Sequence, residues 1–271
     1  MKCLCAPHPI PNKTAKPVDL WEDHAPAYGV NGTYSCNLYS SKAVSLVEDH
    51  AKNFAGQGMF LYLPYHDVHE PYEALDSFRD PALTDTGRQT MQAMVSCVSE
   101  GTGNVTRALK KAGMWESTLF LWSSDNGGPQ YWLGNNYPLR GGKGTDFEGG
   151  VATAAFVSGG ALPRHLYGQA SNSPIHLVDL HFTICLLAGV SEAGCRDDNI
   201  PGIPPIDGVD LRAAFQAVNI TRPVAKGMGP SAGTQEIVLS TNNAGSGGRS
   251  CNADLSLCGA FIDFNESNGG T

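Results

Sequence analysis

The sequence predicts an α/β fold with a largely parallel sheet. Two short, almost wholly apolar runs, Met59 to Tyr65 (MFLYLPY) and Ser117 to Ser123 (STLFLWS), have the composition of strands buried on both faces. Segments of helical periodicity alternate with them. Polar residues with chemical potential follow each run directly, where strands of an open α/β sheet deliver a binding site.

The first 33 residues are rich in Pro and turn formers and read as an irregular leader. Leu38, Ala43, Val44, Leu46, Val47 and Ala51 then recur at helical spacing, predicting a helix from about Ser40 to Asn53. MFLYLPY is the first buried strand, with Pro64 near its end because proline cannot donate to a ladder. Asp85 to Ala112 is amphipathic, with a break expected at Gly101 and Gly103 and a C-terminal cap at Gly113. STLFLWS is the second strand, Val151 to Val157 the third. Pro174 to Leu187 is a helix ended by Gly189, and Glu236 to Ser240 is a weaker strand. Ser191 to Pro205 reads as a change of layer or domain. A short strand, GAFI, lies in the loop-rich tail.

Composition narrows the function. The 271 residues include 18 basic and 26 acidic side chains, net −8, and no basic run. That disfavours nucleic acid as a partner. No apolar stretch has the length of a membrane span, because Leu177 to Val190 is interrupted by Asp179 and His181. The N-terminus has no signal-peptide core. Five N-x-S/T sequons, at Asn12, Asn31, Asn104, Asn219 and Asn265, nevertheless suggest a secretory route. The expectation that reconciles these is a natural N-terminal part ahead of this chain. The eight cysteines include no C-x-x-C pair. Cys251 and Cys258 bracket a loop and are close enough to bridge, whereas Cys97 and Cys185 read as buried thiols.

Three groups of residues carry chemistry. Asp125 and Asn126 end the second strand with adjacent oxygens suited to Ca²⁺ or Mg²⁺, although D-N-G-G is also ordinary turn vocabulary. Two ligands are too few for Ca²⁺. His69, beyond the first strand, suits a proton donor or anion ligand, or a histidine bonded to a loop carbonyl. His66 and Asp67 are weaker candidates. Arg140 and Lys143 project from a Gly-rich loop, where they hold an oxyanion or stay as solvated surface charges. Glu148 bonds backbone or pairs with Arg140. Taken together, a hard-metal pair, a histidine and a lysine at one sheet edge describe a site for a sulfate or phosphate ester.

The segments GTYSCNLYSSKAVSLVEDH, MFLYLPYHDVHEPYEAL, STLFLWSSDNGG, GNNYPLRGGKGTDFEGGVATAAFVS, IHLVDLHFTICLLAGV and PIDGVDL, in this order, resemble the type I sulfatases, in particular the arylsulfatase B-like branch. The resemblance implies an alkaline-phosphatase-like fold: a mixed, largely parallel sheet between helices, its N-terminal part missing here, with the start of a small C-terminal α+β domain. It divides the chain into the leader 1–33, the back half of a catalytic domain at 34–190, and a connector with a partial C-terminal subdomain at 191–271. It implies Ca²⁺ ligation by Asp125 and Asn126, and catalytic sulfate contacts by His69 and Lys143. It also implies sulfatase activity on small-molecule or glycan sulfate esters, in a lysosomal or extracellular protein of the secretory route.

The family nucleophile is a formylglycine made in C/S-x-P-x-R, and that motif is not in this sequence. Cys5-Ala6-Pro7 begins like it, but Pro9 stands where arginine belongs, so Cys5 is a decoy. The aspartates completing the family's Ca²⁺ site are likewise unmatched. The expectation is therefore a formylglycine in the missing N-terminal part and no activity from this chain alone. The alternatives are a phosphonate or phosphodiester hydrolase of the alkaline phosphatase superfamily, or a pseudoenzyme retaining a remnant anion or metal site.

Overall fold

The computed structural model describes residues 20–170, 175–197 and 200–215. The chain divides into two compact units, Met1–Ser117 and Thr118–Thr271.

In the first unit, β1 (Trp21–Glu22) pairs antiparallel with β2 (Ala25–Pro26) in a minimal hairpin. Helix α1 (Ser35–Asn53) begins five residues before the Ser40 expected. Its buried stripe is Cys36, Ser40, Ala43 and Val47, and two of these are residues that an apolar count passes over. Helix α2 (Thr86–Lys111) starts at Asp85, whose carboxylate accepts the Arg88 N–H at 2.6 Å. It ends as predicted at Gly113, with φ +71°. There the Met114 N–H donates to the Leu109 carbonyl and the Gly113 N–H to that of Lys110, a Schellman closure.

The expected break at Gly101 and Gly103 does not occur. Gly101 instead lets α1 approach: a Cβ there would lie 2.1 Å from Ser40 Oγ and 2.7 Å from Tyr65 Oη. Cys97 donates to Asn37 Oδ1 at 3.3 Å, Gly101 faces Ser40, and Lys111 reaches Glu48 at 3.4 Å. Partner numbers rise together along both helices, so α1 and α2 pack in parallel.

The run Met59–Tyr65 is not a strand. Its side chains alternate, with Phe60 and Tyr62 71% and 76% exposed and their neighbours half-buried. It keeps the period of two, but no strand pairs with it among the described residues, and apolar composition alone cannot make a ladder.

In the second unit, β3 (Phe120–Ser123) pairs with β4 (Ala155–Ser158), Phe120 opposite Ser158 and Ser123 opposite Ala155. The pairing is antiparallel, against the largely parallel sheet expected; an apolar run reports burial, not direction. Trp122 stacks on its cross-strand partner Phe156 at 5.4 Å. β4 starts later than predicted because Glu148–Val151 forms a helical turn, α3. Helix α4 (Leu177–Leu187) is capped reciprocally by His176 and Asp179, and Gly189 follows it at φ +85°. Asp179 and Thr183, fully buried one turn apart, bind backbone: Asp179 accepts the Val209 N–H and Thr183 the Leu211 N–H. These bonds seat residues 209–211 on α4 and complete a core of Leu162, Val209, Leu211 and Phe215.

Helix α5 (Glu192–Arg196) follows. Cys185 is not a buried thiol, as the sequence suggested, but is disulfide-bonded to Cys195, ten residues on. Apolar helical surroundings do not distinguish a thiol from a half-cystine whose partner lies on the next turn of chain. The expected strands at Glu236–Ser240 and GAFI, and the Cys251–Cys258 pair, lie outside the described residues.

Candidate active site

The second unit holds Asp125, Asn126 and Lys143. Strand β3 ends at Ser123, and the chain turns through Gly127 and Gly128. The turn is tight because backbone packs on backbone: a Cβ on Gly127 would lie 1.8 Å from the Gly149 carbonyl oxygen. The Gly127 N–H donates to the Gly150 carbonyl at 2.9 Å. Asn136 ties this turn to the lysine loop. Its Oδ1 accepts the Gly128 N–H at 2.9 Å, and its Nδ2 donates to the carbonyls of Gly128 at 2.7 Å and Gly141 at 3.1 Å. The Lys143 N–H then reaches the Gly128 carbonyl at 3.3 Å. D-N-G-G and N-N-Y-P-L-R-G-G-K are thus one folded assembly. Asn136 was missed by sequence reasoning, which took it for loop.

Arg140 does not join the charged set. Its guanidinium lies over the Phe147 ring, 3.8 Å from the centroid, and the expected pairing with Glu148 is not formed. Phe147 is five residues beyond the Gly141-Gly142 step, and its ring, not the Glu148 carboxylate, is what the loop presents to Arg140.

Asp125 is exposed and Asn126 half-buried, with Asn126 Nδ2 donating to the Gly127 carbonyl at 3.1 Å. With the amide nitrogen bonded to backbone, Asn126 keeps Oδ1 as an acceptor, and Asp125 adds its carboxylate in the preceding position of the chain. Two such oxygens suit a hard cation chemically but supply a minority of the six to eight that Ca²⁺ takes. Among the described residues no group of three or more His, Cys, Asp or Glu side chains is placed to hold a metal ion. The described residues do not by themselves make a calcium site.

The first unit holds His69, beside a cavity of about 220 Å³ lined by Tyr34, Ser35, His66, Asp67, Glu73 and Met94 among others. His69 is exposed, its ring tilted against His66 at 5.8 Å. Its Nδ1 lies 3.0 Å from the Glu70 carbonyl, which only accepts, so Nδ1 carries a proton. Nε2 is the nitrogen left for an external ligand, and it donates to an anion only when it too is protonated. The loop-carbonyl bond and the anion-ligand role are therefore compatible.

Asp67 is held in place by Tyr34, whose single hydroxyl proton is shared between the Asp67 carboxylate and the Glu73 carbonyl 2.8 Å away, and by Ser35, which donates at 3.4 Å. Burial, then the bond to the Asp67 carboxylate, pushes the Tyr34 phenol well above its ordinary value. Tyr34 carried no sequence signal of its own, since its partners are more than thirty residues away.

The sulfatase family model matches residues 12–190, and the chain belongs to the sulfatase family. Mouse (Mus musculus) arylsulfatase J is 33% identical over 196 residues, covering 71% of this chain and 31% of that protein. Mouse steryl-sulfatase is 32% identical over 192 residues, covering 66% and 27%. The chain thus spans about a third of the length of the curated relatives it matches. Among solved structures, Ps i-CgsB in complex with k-i-k-neocarrahexaose is 31% identical with a TM-score of 0.59, over 69% of this chain and 39% of that one. The PsFucS1 sulfatase from Pseudoalteromonas sp. is 26% identical with a TM-score of 0.57, over 69% and 35%. These neighbours give the chain the alkaline-phosphatase-like α/β fold.

Proposed function

We propose that this protein hydrolyses sulfate esters, and that the residues described here supply its anion-binding and leaving-group side. The observation that carries the reading is the D-N-G-G strand end bound by Asn136 to the loop bearing Lys143, in a chain of the sulfatase family. Lys143 offers an ammonium to the bridging ester oxygen and neutralises the charge that builds there as the S–O bond breaks. His69 donates from Nε2 to a sulfate oxygen. Asp125 and Asn126 contribute two oxygens to a calcium shell whose other ligands lie outside the described residues. The nucleophile, a formylglycine in this family, also lies outside them, because no C/S-x-P-x-R occurs in the sequence.

The substrate class is a small-molecule or glycan sulfate ester, the glycan supported by the carrageenan-type hexaose in one similar structure. Residues 34–190 form part of the catalytic domain and 191–271 a connector with a small C-terminal subdomain. The sequons and the Cys185–Cys195 disulfide support the secretory pathway, with a lysosomal or extracellular destination and N-glycosylation.

The test is p-nitrophenyl sulfate hydrolysis by residues 1–271, and by the same chain expressed with whatever coding sequence precedes Met1. Activity is expected only from the longer product, and there Lys143→Ala lowers kcat by about a hundredfold or more. Turnover by 1–271 alone overturns the assignment of the nucleophile. Absence of turnover from a longer product that carries C-x-P-x-R overturns the sulfatase reading.

A further inference from the structure

We propose that Cys36 and Cys97 form a disulfide that staples the first turn of α1 to the middle of α2, the two elements that carry Ser35 and Met94 into the lining of the cavity beside His69. Both are free thiols here, 0% and 2% exposed. The parallel packing of the helices brings them together. Cys97 Sγ lies 3.3 Å from Oδ1 of Asn37, the residue after Cys36. One turn further along each helix, Gly101 meets Ser40 so closely that no Cβ fits between them. The backbones are therefore near one another at this level, as a disulfide requires. The neighbouring Cys97 thiol, together with burial, pushes the titration of Cys36 far upward. Tyr34 and Ser35 on one side and Met94 on the other line the His69 cavity, so a cross-link between Cys36 and Cys97 fixes the spacing of its floor.

The chemistry needs an oxidant, here a small disulfide such as oxidised glutathione. One thiolate attacks it, forming a mixed disulfide and releasing one glutathione thiol. The second thiolate displaces the other glutathione. The two cysteines lose two protons and two electrons, and these reduce one glutathione disulfide to two thiols. Buried thiols react slowly in the folded protein. The bond therefore forms during folding or when the first turn of α1 opens. Cys185–Cys195, in the other unit, is an internal control for oxidising conditions.

The purified chain is unfolded with reductant, refolded in a buffer of reduced and oxidised glutathione, blocked with iodoacetamide and digested without reduction. The expected product is the Cys36 peptide joined to the Cys97 peptide, two hydrogens lighter than their sum. In addition, the oxidised protein melts at a higher temperature than the reduced protein, and this gap shrinks in Cys97→Ser. Carbamidomethyl groups on both Cys36 and Cys97 while Cys185–Cys195 is closed overturn the proposal. So does either cysteine joined to a different partner. If Cys97→Ser fails to fold, the peptide map of the unaltered chain decides alone.

Discussion

At the scale of single residues, the site depends on two side chains that bind backbone and touch no substrate in the proposed roles. Asn136 makes three hydrogen bonds across the strand-end turn and the lysine loop. Asn136→Ala leaves half-buried donors and acceptors without partners and is expected to cost about 2 kcal/mol in urea unfolding. Asn136→Asp restores the acceptor but not the two donated bonds and should recover only part of this. Tyr34→Phe removes the bonds to Asp67 and to the Glu73 carbonyl, again at about 2 kcal/mol. Its pH dependence has a definite sign. Because folding raises the phenol's pKa, the contribution is complete below the unfolded value, about pH 10, and is lost as pH rises above it. The stability gap between wild type and Tyr34→Phe should therefore be flat at neutral pH and shrink above pH 10. The sequence singled out Asp125, Asn126, His69 and Lys143 as candidates because carboxylate, amide, imidazole and ammonium groups announce chemistry by residue type. Asn136 and Tyr34 were not legible in it, because an amide or phenol that binds backbone at a distance looks like any loop residue.

At the scale of elements, the helices were legible and the ladders were not. Helical periodicity is local, so α1, α2 and α4 could be read, and Gly113 and Gly189 closed the latter two as expected. Gly101 misled because a glycine inside a helix signals either a break or a close neighbour, and only the fold distinguishes them. Gly101→Ala should force α1 and α2 apart and destabilise by about 1–3 kcal/mol. Part of that cost should vanish in a Ser40→Ala background, a coupling that a double-mutant cycle measures. MFLYLPY had the composition of a strand, but a strand also needs a partner, and partners are non-local. The same non-locality hid the antiparallel sense of β3 and β4 and the pairing of Cys185 with Cys195. Opening that short loop with Cys185→Ser and Cys195→Ser should lower stability by about 3 kcal/mol in the chain-entropy picture, read by urea denaturation.

At the scale of the whole molecule, the ordered motifs carried the family assignment, and the matched residues 12–190 contain every candidate site residue. The sequence could place the motifs along the chain but could not say which of them share a folded unit. His66, Asp67 and His69 lie in the first unit, and Asp125, Asn126, Arg140, Lys143 and Glu148 in the second. The exposed rings of Phe60 and Tyr62, on a run that pairs with no strand among the described residues, make a surface prone to pair with other chains. Tyr62→Lys should reduce self-association of residues 1–271 in sedimentation velocity without lowering the unfolding midpoint, since the ring is mostly solvated.

The glycine contacts at the end of β3 carry a consequence for diversification. Where main chain rests on main chain at Gly127 and Gly149, no larger residue can be accommodated, so the backbone of this turn is fixed in shape. Substitutions that reshape this region must therefore spare Gly127 and Gly149, whereas the exposed side chains of Tyr131 and Tyr137 are positions that can change without disturbing the backbone beneath.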